Sequence, residues 1–176
     1  MSPRLGHRTR AVDRFEFDPG DLTRLLEVVA WLSAHRDGWV NLLPGVETPA
    51  EPVESAGLFS IFGGGAPEPV SMCTWMPPGS SRHALDEVTV GVMHAQGHRV
   101  MPELQAAGLG LPPGWRLGGD HPRRGLVVRV PTTASDREVL TWALSVGTRL
   151  CAVPTTGTWR AEVYQPMRLG PAGGAE

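Results

Sequence analysis

Two strand-then-helix patterns, one near each end of the chain, constrain the fold more than any other feature of this sequence. Residues 11–17 (AVDRFEF) alternate apolar and polar side chains, and a helical pattern follows over about 19–36. Residues 125–131 (GLVVRVP) are almost continuously apolar, which is typical of a central strand, and a second helical pattern covers about 136–150. Such a chain is expected to fold as a sheet with both helices packed on one side.

Each long helical segment carries one apolar stripe at the 3.6-residue period. Asp18 and Pro19 are suited to the N-cap and first position of the first helix, and Ser135 with Glu138 forms a capping box for the second. The predicted buried stripes are Leu22, Leu25, Leu26, Val29 and Leu32 in the first helix, and Val139, Trp142, Ala143, Val146 and Leu150 in the second.

The middle of the chain indicates further strands at 57–62, 69–76, 86–93 and 158–164, a possible short one at 115–118, and a short helix at about 102–107. Residues 40–56 are predicted to be irregular. Because a structureless segment of this length is unusual inside a compact domain, it is either functional or partly a strand that the pattern does not reveal. The prediction is therefore a single α+β domain over 11–166. Its sheet is mixed but mainly antiparallel, with about five to seven strands. Residues 1–10 and 167–176 are expected to be flexible tails.

Composition excludes several classes of function. All 16 basic residues are arginine and none is lysine, which rules out a pyridoxal Schiff base and a P-loop lysine. With a net charge of −2, we predict neither nucleic-acid nor membrane binding. The basic N-terminus lacks a following apolar stretch, and the two cysteines form no CxxC motif, so a cytoplasmic location is expected.

Histidines supply the candidate chemistry. His94 and His98 are four residues apart, a spacing that lets two imidazoles share a metal ion on a helix. However, alternation over 86–93 and Gly97 within the segment predict a strand end followed by a turn, with His94 pointing inward. Asp120 and His121 lie in a later turn.

If the two segments 91–99 and 118–124 meet, His94, Asp120 and His121 are candidate catalytic residues. His94, His98 and His121 are then candidate ligands for a divalent metal, and no other cofactor is predicted. The alternative is that His94 is partly buried with its hydrogen-bonding groups paired, and that 120–124 is a solvated turn. Cys73 with His83 is a further candidate, as a thiol nucleophile with its base. The alternative is that Cys73 is a small buried apolar residue of a strand.

Trp31 falls on the polar side of the first helix, opposite Leu22. It therefore needs a cover, either the segment 37–56 or a subunit interface. Arg129 interrupts an apolar strand and is predicted to face a carboxylate or a cleft. Together with Arg116, Arg123 and Arg124 it could hold an anionic ligand or an acidic partner.

These observations leave the biochemical activity open. The leading hypothesis is a non-catalytic domain that binds a protein partner or forms a homo-oligomer through the surface around Trp31. The alternatives are a small metal-dependent or histidine-based acid–base enzyme, and a binder of small anions anchored by Arg129.

Overall fold

The computed structural model describes residues 9–47, 70–79 and 86–166. These residues form seven strands and three helices, in the order β1 (Thr9–Phe17), α1 (Thr23–His35), β2 (Trp39–Val46), β3 (Met72–Met76), β4 (Glu87–Met93), α2 (Met101–Ala106), β5 (Arg116–His121), β6 (Gly125–Pro131), α3 (Asp136–Leu150) and β7 (Thr155–Pro166). The predicted strand 57–62 and the predicted C-terminal tail lie outside the described residues. β1 begins at Thr9, two residues inside the segment predicted as the N-terminal tail.

The seven strands form one sheet in the order β1-β7-β2-β3-β4-β6-β5. Every neighbouring pair is antiparallel, so the predicted α+β class and strand number are confirmed, whereas no parallel ladder occurs between the described strands. The two strands joined by α1 do run parallel, but β7 lies between them. β6 likewise separates the two strands joined by α2, which is why the expected mixed sheet becomes antiparallel throughout.

The two long helices and one face of the sheet enclose a single apolar core. The predicted stripes of both helices lie in it, except that Leu26 is only partly buried and packs against it. Its buried members include Leu25, Val29 and Leu32 of α1, Val139, Val146 and Leu150 of α3, and Val40, Trp75, Val90, Val128 and Ala161 of the strands. Within the described ranges, none of the helices has the length and apolar character needed to cross a bilayer.

α3 begins and ends where its sequence predicts. The Ser135 hydroxyl accepts a hydrogen bond from the Glu138 backbone N–H at 3.2 Å, which completes one half of the capping box. Near its other end, α3 lies so close to the sheet that only a glycine fits at position 147. A Cβ there would lie 2.6 Å from Cys73 Sγ and 2.7 Å from the ring of Trp159.

α1 begins later than predicted, at Thr23 instead of about 19. The carboxylate of Asp18 accepts from the Gly20 N–H at 2.7 Å, and its carbonyl accepts from the Asp21 N–H at 2.9 Å. These hydrogen bonds close a turn that precedes the helix. Asp18, which was expected to cap α1, therefore stabilises this turn instead. Leu22 becomes the N-cap without a side-chain hydrogen bond.

The prediction of irregular structure over 40–56 is wrong for its first part, which forms β2. Pro44 lies within this strand although proline removes a ladder donor. In the structure, described pairing to β3 covers only Val40–Leu42, whereas Pro44 pairs with Trp159 of β7 beside a bulge. The proline therefore lies where the strand is paired on one side among the described residues.

We expect Gly147→Ala to destabilise the protein. Overpacking of a close contact costs about 1–3 kcal/mol, which opposes the roughly 1 kcal/mol that alanine gains over glycine in a helix interior. The free energy of unfolding in urea measures the net effect. Thr148→Ala, an exposed change in the same turn, is the control and should stay within about 0.5 kcal/mol of the parent. A Gly147→Ala protein as stable as the parent would show that α3 can withdraw from β3 without loss.

Candidate functional site

His94 follows the last residue of β4 and is buried, with 4% of its surface exposed, so the predicted inward orientation is confirmed. Gly97, at φ +71°, makes the turn that follows and prevents the helical metal pair. The Nδ1 of His94 accepts a long hydrogen bond of 3.4 Å from the Gln96 N–H, while its Nε2 lacks a hydrogen-bond partner among the described residues. Burial lowers the pKa of His94 below its ordinary value, and the nearby carboxylates of Asp120 and Glu103 oppose that shift.

Asp120 joins the two segments that the sequence left apart. Its two carboxylate oxygens accept from the backbone N–H groups of Val100 and Met101, each at 3.0 Å. Those groups begin α2, so the carboxylate caps this helix from a neighbouring strand. The Asp120 carboxylate thus lies directly after segment 91–99 and close enough to His94 to affect its pKa, but both of its oxygens are engaged in a structural contact.

The other histidines of the predicted site point to different partners. His98 donates from Nδ1 to the Gln96 carbonyl at 2.8 Å and lies 3.5 Å from Glu103, which also pairs with Arg149 at 2.8 Å. His121 is exposed and accepts from the Arg123 N–H at 3.1 Å. Across the described part of the chain, no group of three or more His, Cys, Asp or Glu side chains is placed to hold a metal ion. The divalent metal stays a prediction from sequence.

The arginines do not form one cluster. Arg123 and Arg124 are exposed in the turn between β5 and β6. Arg129 lies on the face of the sheet opposite α1 and α3, where its guanidinium donates to the Thr89 hydroxyl at 3.4 Å. Its cross-strand neighbour Arg116 instead forms a short ion pair with Glu87 at 2.5 Å. An anionic-ligand site at Arg129 stays a prediction.

Cys73 is a structural residue. Its thiol is fully buried and donates to the Ala143 carbonyl of α3 at 3.2 Å, and burial raises its pKa to about 12. A thiol held so strongly in its neutral form is a poor nucleophile. His83, its proposed partner, lies outside the described residues.

Three large apolar side chains of the described residues are exposed; Leu117 of β5, at 48%, lies at one edge of the sheet, whereas the other two lie together where α1 crosses the opposite edge. Trp31 is 47% exposed and Val12 of β1 is 49% exposed. Both line a depression of about 270 Å³, whose other walls are Asp13, Glu27, Val28, Val163 and Gln165. We call these seven residues the α1–β1 surface. Residues 37–47 are not the cover that the sequence predicted for Trp31, since most of them form β2, and the rest of that segment lies outside the described residues.

Sequence analysis missed Val12, whose position depends on a β-bulge. The pairing of β1 with β7 shifts between Ala11 and Asp13, which leaves Val12 as the extra residue. A bulge redirects a side chain and protects an edge strand from pairing with another chain. Here it turns Val12 towards α1, where the side chain lines the same depression as Trp31. The alternation of 11–17 gave no signal of this insertion.

A polar cluster on the opposite face of the sheet was also missed. Glu162 of β7 is 1% exposed, and its carboxylate lies 3.0 Å from Arg14 and 3.3 Å from Arg160. The Tyr164 hydroxyl donates to the same carboxylate at 2.8 Å. The alternation over 158–164 could have placed these residues together, because Arg160, Glu162 and Tyr164 are spaced two apart. The arrangement neutralises a buried charge.

Neither a family model, nor a curated protein, nor a solved structure matches this chain. The geometry of the chain is therefore what indicates a site. The α1–β1 surface is the strongest candidate, since it combines exposed apolar area with a depression, whereas His94 is buried and Asp120 is bonded to two backbone amides.

We expect Asp120→Ala to destabilise the protein by about 0.5–2 kcal/mol, the usual cost of removing a helix cap. The amides of Val100 and Met101 should also exchange with solvent deuterium faster, because both lose their acceptor. Asp86→Ala, at an exposed turn position before β4, is the matched control. Unchanged exchange at both amides would contradict the capping role.

Stability should fall below pH about 6.5, and His94 should carry part of this loss. The unfolded chain restores the ordinary histidine pKa of about 6.5, whereas the folded pKa is lower. As the pH falls below the unfolded value, the unfolded state therefore binds a proton that the folded state does not, and stability decreases.

Urea unfolding at a series of pH values between about 7.5 and 5.5 tests this assignment. His94→Gln, which has no titrating group at this position, should reduce the slope of stability against pH, whatever its absolute stability. His121→Gln is the exposed control. A His94→Gln protein with the full parental slope would show that another group is responsible.

Proposed function

We propose that this protein is a protein-binding module that docks its partner on the α1–β1 surface. The observation that carries the proposal is the half-exposed pair Trp31 and Val12 beside a depression of about 270 Å³. Tryptophan is among the residues that contribute most to protein–protein binding when it is buried at the centre of an interface. Its partner is expected to offer an apolar side chain that fills the depression.

The shape of this surface favours a macromolecule over a small ligand. Small molecules generally occupy concave sites that bury 70–90% or more of their surface. The depression instead opens beside two side chains that keep about half of their own area exposed. Charged and polar groups surround these apolar side chains, with Asp13 and Glu27 on the wall and Arg24 paired to Asp13 at 2.9 Å. An apolar centre with a polar rim is the usual anatomy of a protein interface.

The described contacts give less support to the enzymatic alternative. An acid–base residue has to reach substrate, but His94 is almost fully buried, and Asp120 is bonded to two backbone amides. Arg129, the proposed anchor for an anion, donates a hydrogen bond to the Thr89 hydroxyl at 3.4 Å. Both hypotheses stay predictions from sequence.

A cytoplasmic setting is part of the proposal. The thiol of Cys73 lies in the core and donates a hydrogen bond to α3, which suits a compartment that keeps thiols reduced. The overall charge of −2 gives no attraction to nucleic acid or to acidic lipid, so the partner we propose is a protein.

A photo-crosslinking residue tests the docking surface in the cells that make the protein. Placed at Ala34, an exposed position on α1 one turn after Trp31, it should form a defined protein adduct. The control position is Arg124, exposed in the turn at the opposite edge of the sheet, and it should not form that adduct. Adding Trp31→Ala should abolish the adduct at position 34.

Purified components then measure the contribution of Trp31. Trp31→Ala should weaken binding of the crosslinked partner by about 30-fold or more, the effect of losing a residue at the centre of an interface. Circular dichroism of the variant checks that it folds, as expected for an exposed side chain. Adducts that persist unchanged in Trp31→Ala would contradict the proposal, as would their absence from position 34.

A further inference from the structure

We propose that the partner on the α1–β1 surface is a second copy of this chain, related by a two-fold axis that passes close to Trp31. The two α1 helices would lie antiparallel across this axis. This inference rests on the proposed function and adds the identity of the partner.

The α1–β1 surface is complementary to itself. A two-fold interface brings the same patch of both subunits together, so that patch must contain both a projecting group and a place for it. Here a half-exposed indole ring stands at the rim of an apolar depression that Val12 and Val28 help to line. Each copy can therefore insert its Trp31 beside the valines of the other.

The charge pattern along α1 also favours a second copy. Glu27 lies four residues before Trp31 and His35 lies four residues after it, and both are exposed. In an antiparallel pair centred on Trp31, Glu27 of each helix faces His35 of the other, so the contact forms twice. Ala34 lies on the same exposed face and is small enough to allow the helix axes to approach to about 8–10 Å.

The orientation of His35 is already determined in the single chain. Its ring stacks on Trp31 with centroids 4.0 Å apart, and its Nδ1 donates to the Trp31 carbonyl at 2.7 Å. The other ring nitrogen, Nε2, is therefore the one that faces the second copy. It donates to the Glu27 carboxylate of that copy in the protonated form of the ring, which a facing carboxylate favours. Because the ring and the indole are held together before binding, little side-chain entropy is lost when the second copy docks.

A dimer formed through the edge of β1 is less favourable. The bulge at Val12 interrupts the regular edge, and this strand carries the charged residues Asp13, Arg14 and Glu16. Bulges and charges are the features by which natural proteins prevent edge strands from pairing. The helix side of this edge, not the strand itself, is therefore assigned to the second copy.

Sedimentation velocity of the purified full chain over a range of concentrations tests the inference. The parent should show a monomer–dimer equilibrium, and Trp31→Ala should weaken dimerisation by about 30-fold or more. His35→Glu should weaken it by about tenfold, because two pairs of like charges would then face each other. The double variant Glu27→Arg with His35→Glu should recover most of the parental affinity, since each pair is again of opposite charge.

The variant Arg124→Glu, on the far side of the sheet, is the control and should dimerise as the parent does. A parent that stays monomeric at every concentration would overturn the inference, and so would a dimer that is insensitive to Trp31→Ala or a double variant as weak as His35→Glu. If the chain is monomeric and position 34 crosslinks to a different protein, only the identity of the partner is wrong. If position 34 forms no adduct, the proposed function fails as well.

Discussion

The close approach of α3 to the middle of the sheet is the contact on which the rest of the structure depends. Gly147 leaves room for the side chains of Cys73 and Trp159. Two side chains from the β3 region also donate hydrogen bonds to the α3 backbone: the Ser71 hydroxyl to the Gly147 carbonyl at 2.6 Å and the Cys73 thiol to the Ala143 carbonyl at 3.2 Å. Close packing and hydrogen bonds thus both fix the position of α3. α1 packs beside it in the same core.

The position of α1 links this core to the candidate binding surface. Leu25, Val29 and Leu32 have essentially no exposed surface, so the helix cannot rotate without exposing them. With that stripe inward, Trp31 must point away from the core. The bulge in β1 supplies the apolar neighbour, because it directs Val12 to the same side of the edge strand. The binding surface is therefore a consequence of packing, and two separate features of the fold create it.

The junction of β4, α2 and β5 shows how a structural contact can resemble a catalytic site in a sequence. Histidines and an aspartate from two loops do come together there. However, Asp120 satisfies the first amides of α2, and His94 occupies a buried position where its neutral form is favoured. A helix as short as α2 gains much of its definition from such a cap, since short helices are marginal by themselves.

The sequence by itself determined the α+β class, the extent of α3, the buried stripes of both long helices and the outward direction of Trp31. These follow from periodicity and capping, which are local properties of the chain. The start of α1 and the strand character of Trp39–Val46 were predicted wrongly, because local turn bonds at Asp18 and one-sided pairing at Pro44 overrode the usual preferences.

Only the tertiary structure decided the strand order, the bulge at Val12 and the meeting of Asp120 with α2. Each of these depends on pairing between residues far apart in the chain, and in such contacts the geometry of the partner, not the local pattern, determines where a side chain points.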